Sequence, residues 1–281
     1  MPMGAPAMTP RALRTRWAMA RLPRIARRID DGSGEFADRK ASVFTMGLSF
    51  PSPIGLAAGF DRRGRLLDCA HRLGLGAVEI GTLAVADGLP FLSRPIAGGV
   101  RCGVSIGKPR HVAWDAAEEA YLRALRALHA AADYLTLNPG RDCPSPARFA
   151  EVATAAAQLR DRLARHRLRP LPLVAKLPAH WLGGDAAHIV DVADAFVAAG
   201  VDGLLVSAEG LDARRNACAI LHMVSEAVGP GVCVISVGGI DSVAEVQARL
   251  AAGATLVQVH RALLARDSSL LRALRRPIPT L

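Results

Sequence analysis

Polar side chains recur directly after short apolar segments of this sequence, and their types suit a planar ligand that carries charge. Asn138 and Lys176 each stand at the end of such a segment, and Thr82 and Ser207 bring a hydroxyl group to two others. An amide or a hydroxyl can hydrogen-bond the edge of a ring, and an ammonium group can support negative charge that develops on it. Any one of these residues could be structural, so the prediction depends on their meeting at one site.

Small residues stand where a ligand would have to approach the backbone. Ala57, Ala58 and Gly59 follow the first apolar segment, and residues this small let a flat ring lie against the main chain. Gly238 and Gly239 follow the seventh segment, where backbone N–H groups beside a helix N-terminus can bind a phosphate. The alternative for this glycine pair is a tight turn. Together the two features predict a ligand with a flat ring and a phosphate.

The apolar segments themselves predict eight parallel β-strands. They are short, nearly continuous in hydrophobic residues, and separated by Ala-rich helical stretches, which is typical of strands covered by helices. Eight such repeats in 281 residues favour an α/β fold of the (β/α)8 TIM-barrel type over a doubly wound sheet. The predicted strands are 54–58, 77–81, 103–106, 134–137, 173–177, 203–206, 232–237 and 255–259. The predicted helices are 64–73, 113–131, 149–165, 186–199, 217–227 and 243–251.

This fold would bring the polar residues together. The active site of a TIM barrel lies at the C-terminal ends of its strands, and the residues named above all follow predicted strands. We therefore expect them to converge on one mouth of a barrel formed by residues 43–281. No Gly-x-Gly-x-x-Gly motif follows the first strand, which argues against a Rossmann domain.

Residues 1–42 are predicted to form a basic helical extension. Between positions 11 and 29 arginines are interspersed with apolar residues at roughly helical spacing, and Pro23 is expected to kink or break this helix. One interpretation is a helix that lies on an anionic membrane surface. The other is a helix that packs on the barrel, or a poorly ordered tail. The apolar stripe would consist of Leu13, Trp17, Leu22 and Ile25.

Composition narrows the function classes. The net charge is +10, but the positive charge is spread along the chain and aromatic residues make up only 4%, so we expect no nucleic-acid partner. The five cysteines contain no CxxC pair, and the histidines show no metal-ligand spacing, so we expect neither disulfides nor a metal. No apolar stretch approaches the ~20 residues of a membrane span. These features predict a cytoplasmic protein, with peripheral contact to the inner face of the membrane if residues 11–29 bind it.

Several motifs resemble the dihydroorotate dehydrogenase family, specifically its quinone-using, membrane-associated class. The resemblance runs from about residue 44 to about residue 264. Its most specific parts are the run FPSPIGLAAGFD at 50–61 and the run LAAGATLVQ at 250–258. The other matching runs are VEIGT at 78–82, GVSIGK at 103–108, ADYLTLN at 132–138 and VGGIDS at 237–242.

The resemblance implies an FMN-dependent flavoprotein of pyrimidine biosynthesis. Such an enzyme oxidises dihydroorotate to orotate by hydride transfer to FMN and passes the electrons to a second acceptor, here a quinone. It also implies a site for the flavin, in which Asn138 and Lys176 hydrogen-bond the ring and Lys176 supports charge on its reduced form. The implied cofactor-binding residues are Ala57, Ala58, Gly59, Thr82, Asn138, Lys176, Ser207, Gly238, Gly239, His260 and Arg261.

The loop after Asn138 departs from the family, which carries its catalytic base, a Ser or Cys, in that loop. Here the loop reads NPGRDCPS from Asn138 to Ser145, so direct spacing puts Arg141 at the position of the base. An insertion of two residues would put Cys143 there instead. Arginine cannot act as a base at ordinary pH, whereas a cysteine thiolate can. Cys143 is therefore the predicted catalytic base, together with Asn138 and Lys176 as catalytic residues.

The substrate loops depart as well. The family's Asn-rich segment before the third strand is replaced by a shorter segment at 94–99, and Ser207-Ala208-Glu209-Gly210 stands where the family has Asn-Thr and a glycine-rich loop. Arg62 replaces a family lysine. The predicted substrate-binding residues are Arg62, Lys108 and Arg141. Two alternatives stay open: an FMN-binding relative that acts on a different small molecule, and a degenerate paralogue without catalytic activity.

Overall fold

Eight parallel strands close into a barrel, as the sequence predicts. The computed structural model describes residues 9–29, 42–84, 96–210, 215–264 and 270. In the barrel the strands follow one another in chain order, and the last pairs with the first. They are β3 (Ile54–Leu56), β4 (Ala77–Leu83), β5 (Arg101–Ile106), β6 (Tyr134–Leu137), β7 (Leu173–Leu177), β8 (Gly203–Ser207), β9 (Cys233–Val237) and β10 (Leu256–Val259).

Helices cover the outside of the barrel. The described ones after β5 are α2 (Ala117–Leu128), α3 (Pro146–Ala164), α4 (Ala186–Ala198), α5 (Ala217–Val228) and α6 (Val243–Ala251). Three of them begin at a capping side chain that accepts a backbone N–H, since Ser145, Asp185 and Ser242 each bond the residue three positions later. These caps fix where each helix leaves the mouth of the barrel.

The helix predicted for 64–73 is wrong. This segment consists of turns that end in a 3₁₀ turn at His71–Leu73. The carboxylate of Asp61 accepts the backbone N–H groups of Arg63 and Leu66, and Gly64 has a φ of +65°. These local bonds satisfy the backbone in a non-helical form, so the apolar spacing alone does not produce a helix.

A hairpin that the sequence analysis did not predict closes the N-terminal end of the barrel. Its strands β1 (Val43–Thr45) and β2 (Leu48–Phe50) pair antiparallel through a turn at Met46 and Gly47, both with positive φ. Leu48 and Phe50 are buried among the apolar side chains of the barrel interior, and the Phe50 ring lies 6.2 Å from that of Tyr134. This end is therefore filled, and the opposite end carries the open mouth.

The basic N-terminal segment forms one helix, α1 (Pro10–Ile29), which continues through Pro23 rather than breaking there. Its buried face is Ala18, Leu22 and Ala26, and it contacts the 3₁₀ turns His71–Leu73 and Arg261–Leu264. Leu22 is buried but Trp17 is 47% exposed, so the predicted stripe is only partly correct, and the side chain of Leu13 lies outside the described residues. The helix packs on the barrel, and its contact with a membrane stays a prediction. In the described part of the chain no helix is long and apolar enough to cross a bilayer.

Candidate active site

A cavity of about 590 Å³ opens at the C-terminal mouth of the barrel. Three neighbouring strands contribute to its wall through the residues that end or follow them, because the carboxyl ends of parallel strands meet at one edge. Of the predicted site residues, the structure brings Asn138, Lys176, Ser207 and Arg141 together here. Among the described residues, the lining is Asn138, Gly140, Arg141, Lys176, Pro178, Ala179, His180, Ser207 and Glu209.

A hydrogen-bonded chain fixes the polar residues on the neighbouring strands. The Asn138 side-chain amide donates to the Thr82 hydroxyl at 2.7 Å, and that hydroxyl lies 3.1 Å from the hydroxyl of Ser105. The Asn138 side-chain oxygen accepts the backbone N–H of Gly140 at 3.1 Å. The Tyr121 hydroxyl donates to the Asn138 carbonyl at 2.5 Å. Asn138 is thus held in one orientation at the edge of the cavity.

Glu79 is a buried carboxylate in the barrel interior that the sequence analysis did not single out as a site residue. It accepts hydrogen bonds from Gln258 at 2.7 Å and from Thr136 at 3.0 Å. Burial raises the pKa of this carboxyl group, and the hydrogen bonds and the nearby Lys176 ammonium oppose that rise. A charged residue inside an otherwise apolar strand was the available signal. The arrangement places a carboxylate on the same inner surface as Lys176.

The raised pKa of Glu79 predicts a pH dependence of stability. The carboxyl group of Glu79 holds its proton more tightly in the folded protein than in the unfolded chain. The stability that this protonation contributes is therefore fully present below the ordinary pKa of 4.5, and it is lost as the pH rises through the pKa of the folded state. We expect the free energy of unfolding of the wild type to fall, relative to that of Glu79→Gln, as the pH is raised from about 4.5 to 7. Urea unfolding at several pH values measures this difference. The exposed control Glu226→Gln should show no such trend, and a constant difference for Glu79→Gln would contradict the prediction.

The backbone after β3 forms a shelf on which a planar group can rest. The N–H of Gly59 donates to the Gly81 carbonyl at 2.7 Å, and Gly59 has a φ of +88°. A Cβ added at Gly59 would point toward Nε2 of His260, 3.7 Å away. Ala57 is buried and Ala58 is partly exposed beside it. The shelf therefore has space that a side chain would fill, which fits the predicted flavin ring.

The predicted phosphate loop follows β9. Gly238 and Gly239 both have positive φ, at +96° and +74°. A Cβ at Gly238 would lie 2.9 Å from the backbone of Ala208, so only glycine lets these two loops touch. The loop leads into α6, whose N-terminus is capped by Ser242. The turn and the helix N-terminus fit a phosphate, while the side chain of Arg261 lies outside the described residues.

The three predicted substrate cations have different surroundings. The Arg62 guanidinium donates to the Thr82 carbonyl at 3.3 Å. The Lys108 ammonium lies 2.5 Å from the Asp142 carboxylate, and its side chain is only 4% exposed. Arg141 lines the cavity. Arg141 is thus the predicted cation that faces the cavity, while Arg62 and Lys108 already contact protein groups. Residues 94 and 95 of the shortened segment lie outside the described residues.

The surroundings of Cys143 do not favour a thiolate. Its thiol is partly buried and donates to the Ser145 carbonyl at 3.5 Å. Burial raises its pKa to about 11, chiefly because the thiolate would lose hydration. Cys143 is also not part of the cavity wall described above. Its role as the base stays a prediction, and these observations weigh against it.

The raised pKa of Cys143 predicts slow alkylation. With a pKa of about 11 instead of 9.0, the thiolate fraction at pH 7.5 is about 100-fold smaller than that of an unperturbed thiol. We expect iodoacetamide to modify Cys143 about 100-fold more slowly than a free cysteine, with a rate that keeps rising up to about pH 11. Mass spectrometry of the Cys143 peptide measures this rate, with Cys143→Ser as the control for peptide assignment. Rapid alkylation at pH 7 would instead support the thiolate base.

A closed (β/α)8 barrel with a polar cavity at its C-terminal mouth defines a TIM-barrel protein whose candidate active site lies at that mouth. The family model "Dihydroorotate dehydrogenase" matches residues 206–281. The chain is 30% identical to "Dihydroorotate dehydrogenase (quinone)" of Clavibacter michiganensis subsp. michiganensis, with 82% of each chain covered. It is 28% identical to the protein of the same name from Alkalilimnicola ehrlichii, covering 83% of this chain and 84% of that one. The chain belongs to the dihydroorotate dehydrogenase family.

Solved structures share the barrel fold of this chain. The crystal structure of Eimeria tenella DHODH in complex with ferulenol superposes with a TM-score of 0.74 at 20% identity, covering 98% of this chain and 91% of the other. The ligand-free structure from the same organism gives the same TM-score at 19% identity. At these identities the likeness shows the fold alone. It agrees with the barrel predicted from the sequence.

Proposed function

We propose that this protein is an FMN-dependent oxidoreductase that oxidises dihydroorotate to orotate. The observation that carries the proposal is the mouth of the barrel, where Asn138 and Lys176 share a cavity wall with Ser207. Family membership adds weight, because the relatives reported above are named dihydroorotate dehydrogenases. The names of those relatives point to no other substrate. They therefore support neither an enzyme that acts on a different small molecule nor a paralogue without catalytic activity.

The residues at the mouth fit FMN. The shelf at Ala57, Ala58 and Gly59 would carry the ring, with Thr82, Asn138, Lys176 and Ser207 at its edges. The turn at Gly238 and Gly239 would hold the phosphate, with His260 and Arg261 beside it. When bound, FMN supplies the acceptor for a hydride from C6 of the substrate.

The remaining chemistry falls to side chains of this chain. Lys176 supports negative charge on the reduced ring from a half-buried position, where an ammonium interacts more strongly than in water. Arg141 faces the cavity and pairs with the carboxylate of the substrate, for which its planar guanidinium is suited. Arg62 and Lys108 are further substrate ligands only if they exchange their present protein partners. Asn138 orients the ligand through its fixed amide.

The second acceptor is a quinone, as the names of the relatives include that word. A quinone dissolves in the membrane, so the protein would meet it there. Helix α1 carries exposed arginines at positions 14, 16, 24 and 27 and a half-exposed Trp17, which suits contact with an anionic surface. We place the protein in the cytoplasm with peripheral membrane contact through residues 11–29.

Anaerobic reduction of the FMN-loaded protein tests this function. Dihydroorotate should bleach the visible flavin absorbance, and a soluble quinone should restore it. Dihydrouracil serves as the matched control, because it lacks the carboxylate that Arg141 would bind, and it should bleach the flavin far more slowly. A bound flavin that dihydroorotate leaves oxidised would exclude the proposed reaction.

A further inference from the structure

The wall of the cavity contains ionisable side chains beyond those assigned above. His180 and Glu209 both line it, together with Lys176 and Arg141. The oxidation proposed above must remove a proton from C5 of the substrate as well as a hydride from C6. The cavity therefore needs a group that can accept a proton, and the loop after Asn138 offers only Arg141 and Cys143 at the expected position.

His180 is held at the mouth by a firmly packed turn. It lies in the 3₁₀ turn Ala179–Trp181 that follows β7, four residues after Lys176. The turn is closed by the Trp181 N–H, which donates to the Pro178 carbonyl at 3.0 Å. Trp181 itself is 5% exposed and stacks on Phe196 with ring centroids 6.3 Å apart. The backbone of His180 is therefore fixed at the point where this residue lines the cavity.

The imidazole of His180 is not committed to another role. Its ring is exposed and touches the edge of the Trp181 ring, with centroids 5.9 Å apart. Among the described residues, none makes a hydrogen bond to either of its ring nitrogens. His188 differs, because its Nε2 lies 3.1 Å from the Trp181 carbonyl and is engaged in the structure. Of these two histidines, His180 is the one that lines the cavity and whose ring nitrogens have no hydrogen-bond partner among the described residues.

Chemistry separates His180 from the other groups on the wall. Lys176 and Arg141 are cations with no lone pair to offer, and arginine stays protonated at ordinary pH. A carboxylate is ordinarily a weak base at neutral pH, whereas histidine is the side chain with an ordinary pKa nearest to neutral pH, at about 6.5. General-base catalysis is most efficient when the pKa of the base lies near the pH at which the enzyme works.

We infer that His180 is the general base that removes the C5 proton of the substrate, in place of the Ser or Cys used by the family. This inference rests on the proposed function. The C5–H bond breaks and its proton bonds to a neutral imidazole nitrogen of His180. The electron pair forms the C5=C6 double bond as the hydride leaves C6 for the flavin. Because the ring is exposed, the imidazolium returns its proton to solvent.

Stopped-flow reduction of the FMN-loaded protein by dihydroorotate tests the base. His180→Gln should slow flavin bleaching at least about 100-fold, while its flavin spectrum stays unchanged. The wild-type rate should rise with pH, because only an unprotonated base can accept the C5 proton, and His180→Gln should lose that rise. His166→Gln is the matched control, because His166 is exposed between α3 and β7 at the other end of the barrel.

Two further variants separate the competing groups. At saturating dihydroorotate, Cys143→Ala and Glu209→Gln should each keep the pH-dependent rise of the wild type. If either variant loses the pH-dependent rise while His180→Gln keeps it, the assignment to His180 is overturned. If the wild type bleaches and His180→Gln bleaches equally fast, the base assignment fails while the proposed function stands. If dihydroorotate bleaches none of them, both fail.

A readout that does not depend on turnover uses the histidine ring itself. The Cε1–H resonance of His180, assigned by its loss in His180→Gln, should shift on addition of orotate to the unreduced protein. The resonance of His166 should stay in place. An unmoved His180 resonance at saturating orotate would show that the ring does not contact the substrate, and would overturn the inference.

Discussion

Replacing Lys176 with methionine is expected to slow the reduction of the bound flavin by dihydroorotate about 100- to 1,000-fold. Lys176 stands on β7 among the residues of the cavity wall and is half buried. An ammonium in this setting stabilises negative charge as it develops on the ring, and methionine fills similar space without charge. The loss should therefore appear in the rate of bleaching at saturating substrate rather than in the affinity for substrate.

The matched variant for this experiment is Lys176→Arg, which retains the positive charge but changes its shape. It should recover a large part of the lost rate, and both variants should keep a bound flavin. Anaerobic stopped-flow absorbance gives the rate, and urea unfolding checks that the barrel is intact. A rate for Lys176→Met within threefold of the wild type would remove Lys176 from the chemistry.

Replacing Gly59 with valine is expected to abolish the retention of FMN. Gly59 has a φ of +88°, which strains any residue with a side chain by about 1–2 kcal/mol. The added Cβ would point toward Nε2 of His260, and the two methyl groups beyond it would occupy the shelf. The loss of flavin should thus exceed what backbone strain alone produces.

Gly99→Val separates strain from obstruction. Gly99 also has a positive φ, at +68°, but a Cβ there would meet no atom of the described residues within 4 Å. We expect both variants to lose stability, and only Gly59→Val to lose FMN. The flavin absorbance that remains after desalting measures retention, and thermal unfolding measures stability. Full retention of FMN by Gly59→Val would place the ring elsewhere.

The barrel could be predicted because its strands carry a strong local signal. All eight strands lie within two residues of the predicted bounds at either end, since buried parallel strands are short continuous apolar runs. The hairpin of β1 and β2 could not be predicted, because strands of three residues are too short to show an alternating hydrophobic pattern. The segment 64–73 had helical spacing, but its backbone bonds to Asp61 instead. Side-chain contacts of this kind are not visible in the sequence.

The candidate site, like the fold, was predictable in part. Asn138, Lys176 and Ser207 come together because strand ends of a parallel barrel must do so. The loop after β6 was ambiguous, because spacing could not decide between Arg141 and Cys143. The structure brings Arg141 to the cavity, and it shows Lys108 paired with Asp142. The sequence did not predict His180 as a site residue, because His180 lies three residues after the end of β7 rather than at the end of that strand.

Whether the mouth of this barrel holds FMN can be read from the absorbance spectrum of the purified protein after incubation with FMN and desalting. We expect one flavin per chain to stay bound, with a visible spectrum shifted from that of free FMN. We expect Gly59→Val to give a colourless protein under the same treatment. A wild-type protein that emerges without flavin absorbance, although folded, would contradict the claim that the mouth of this barrel holds FMN.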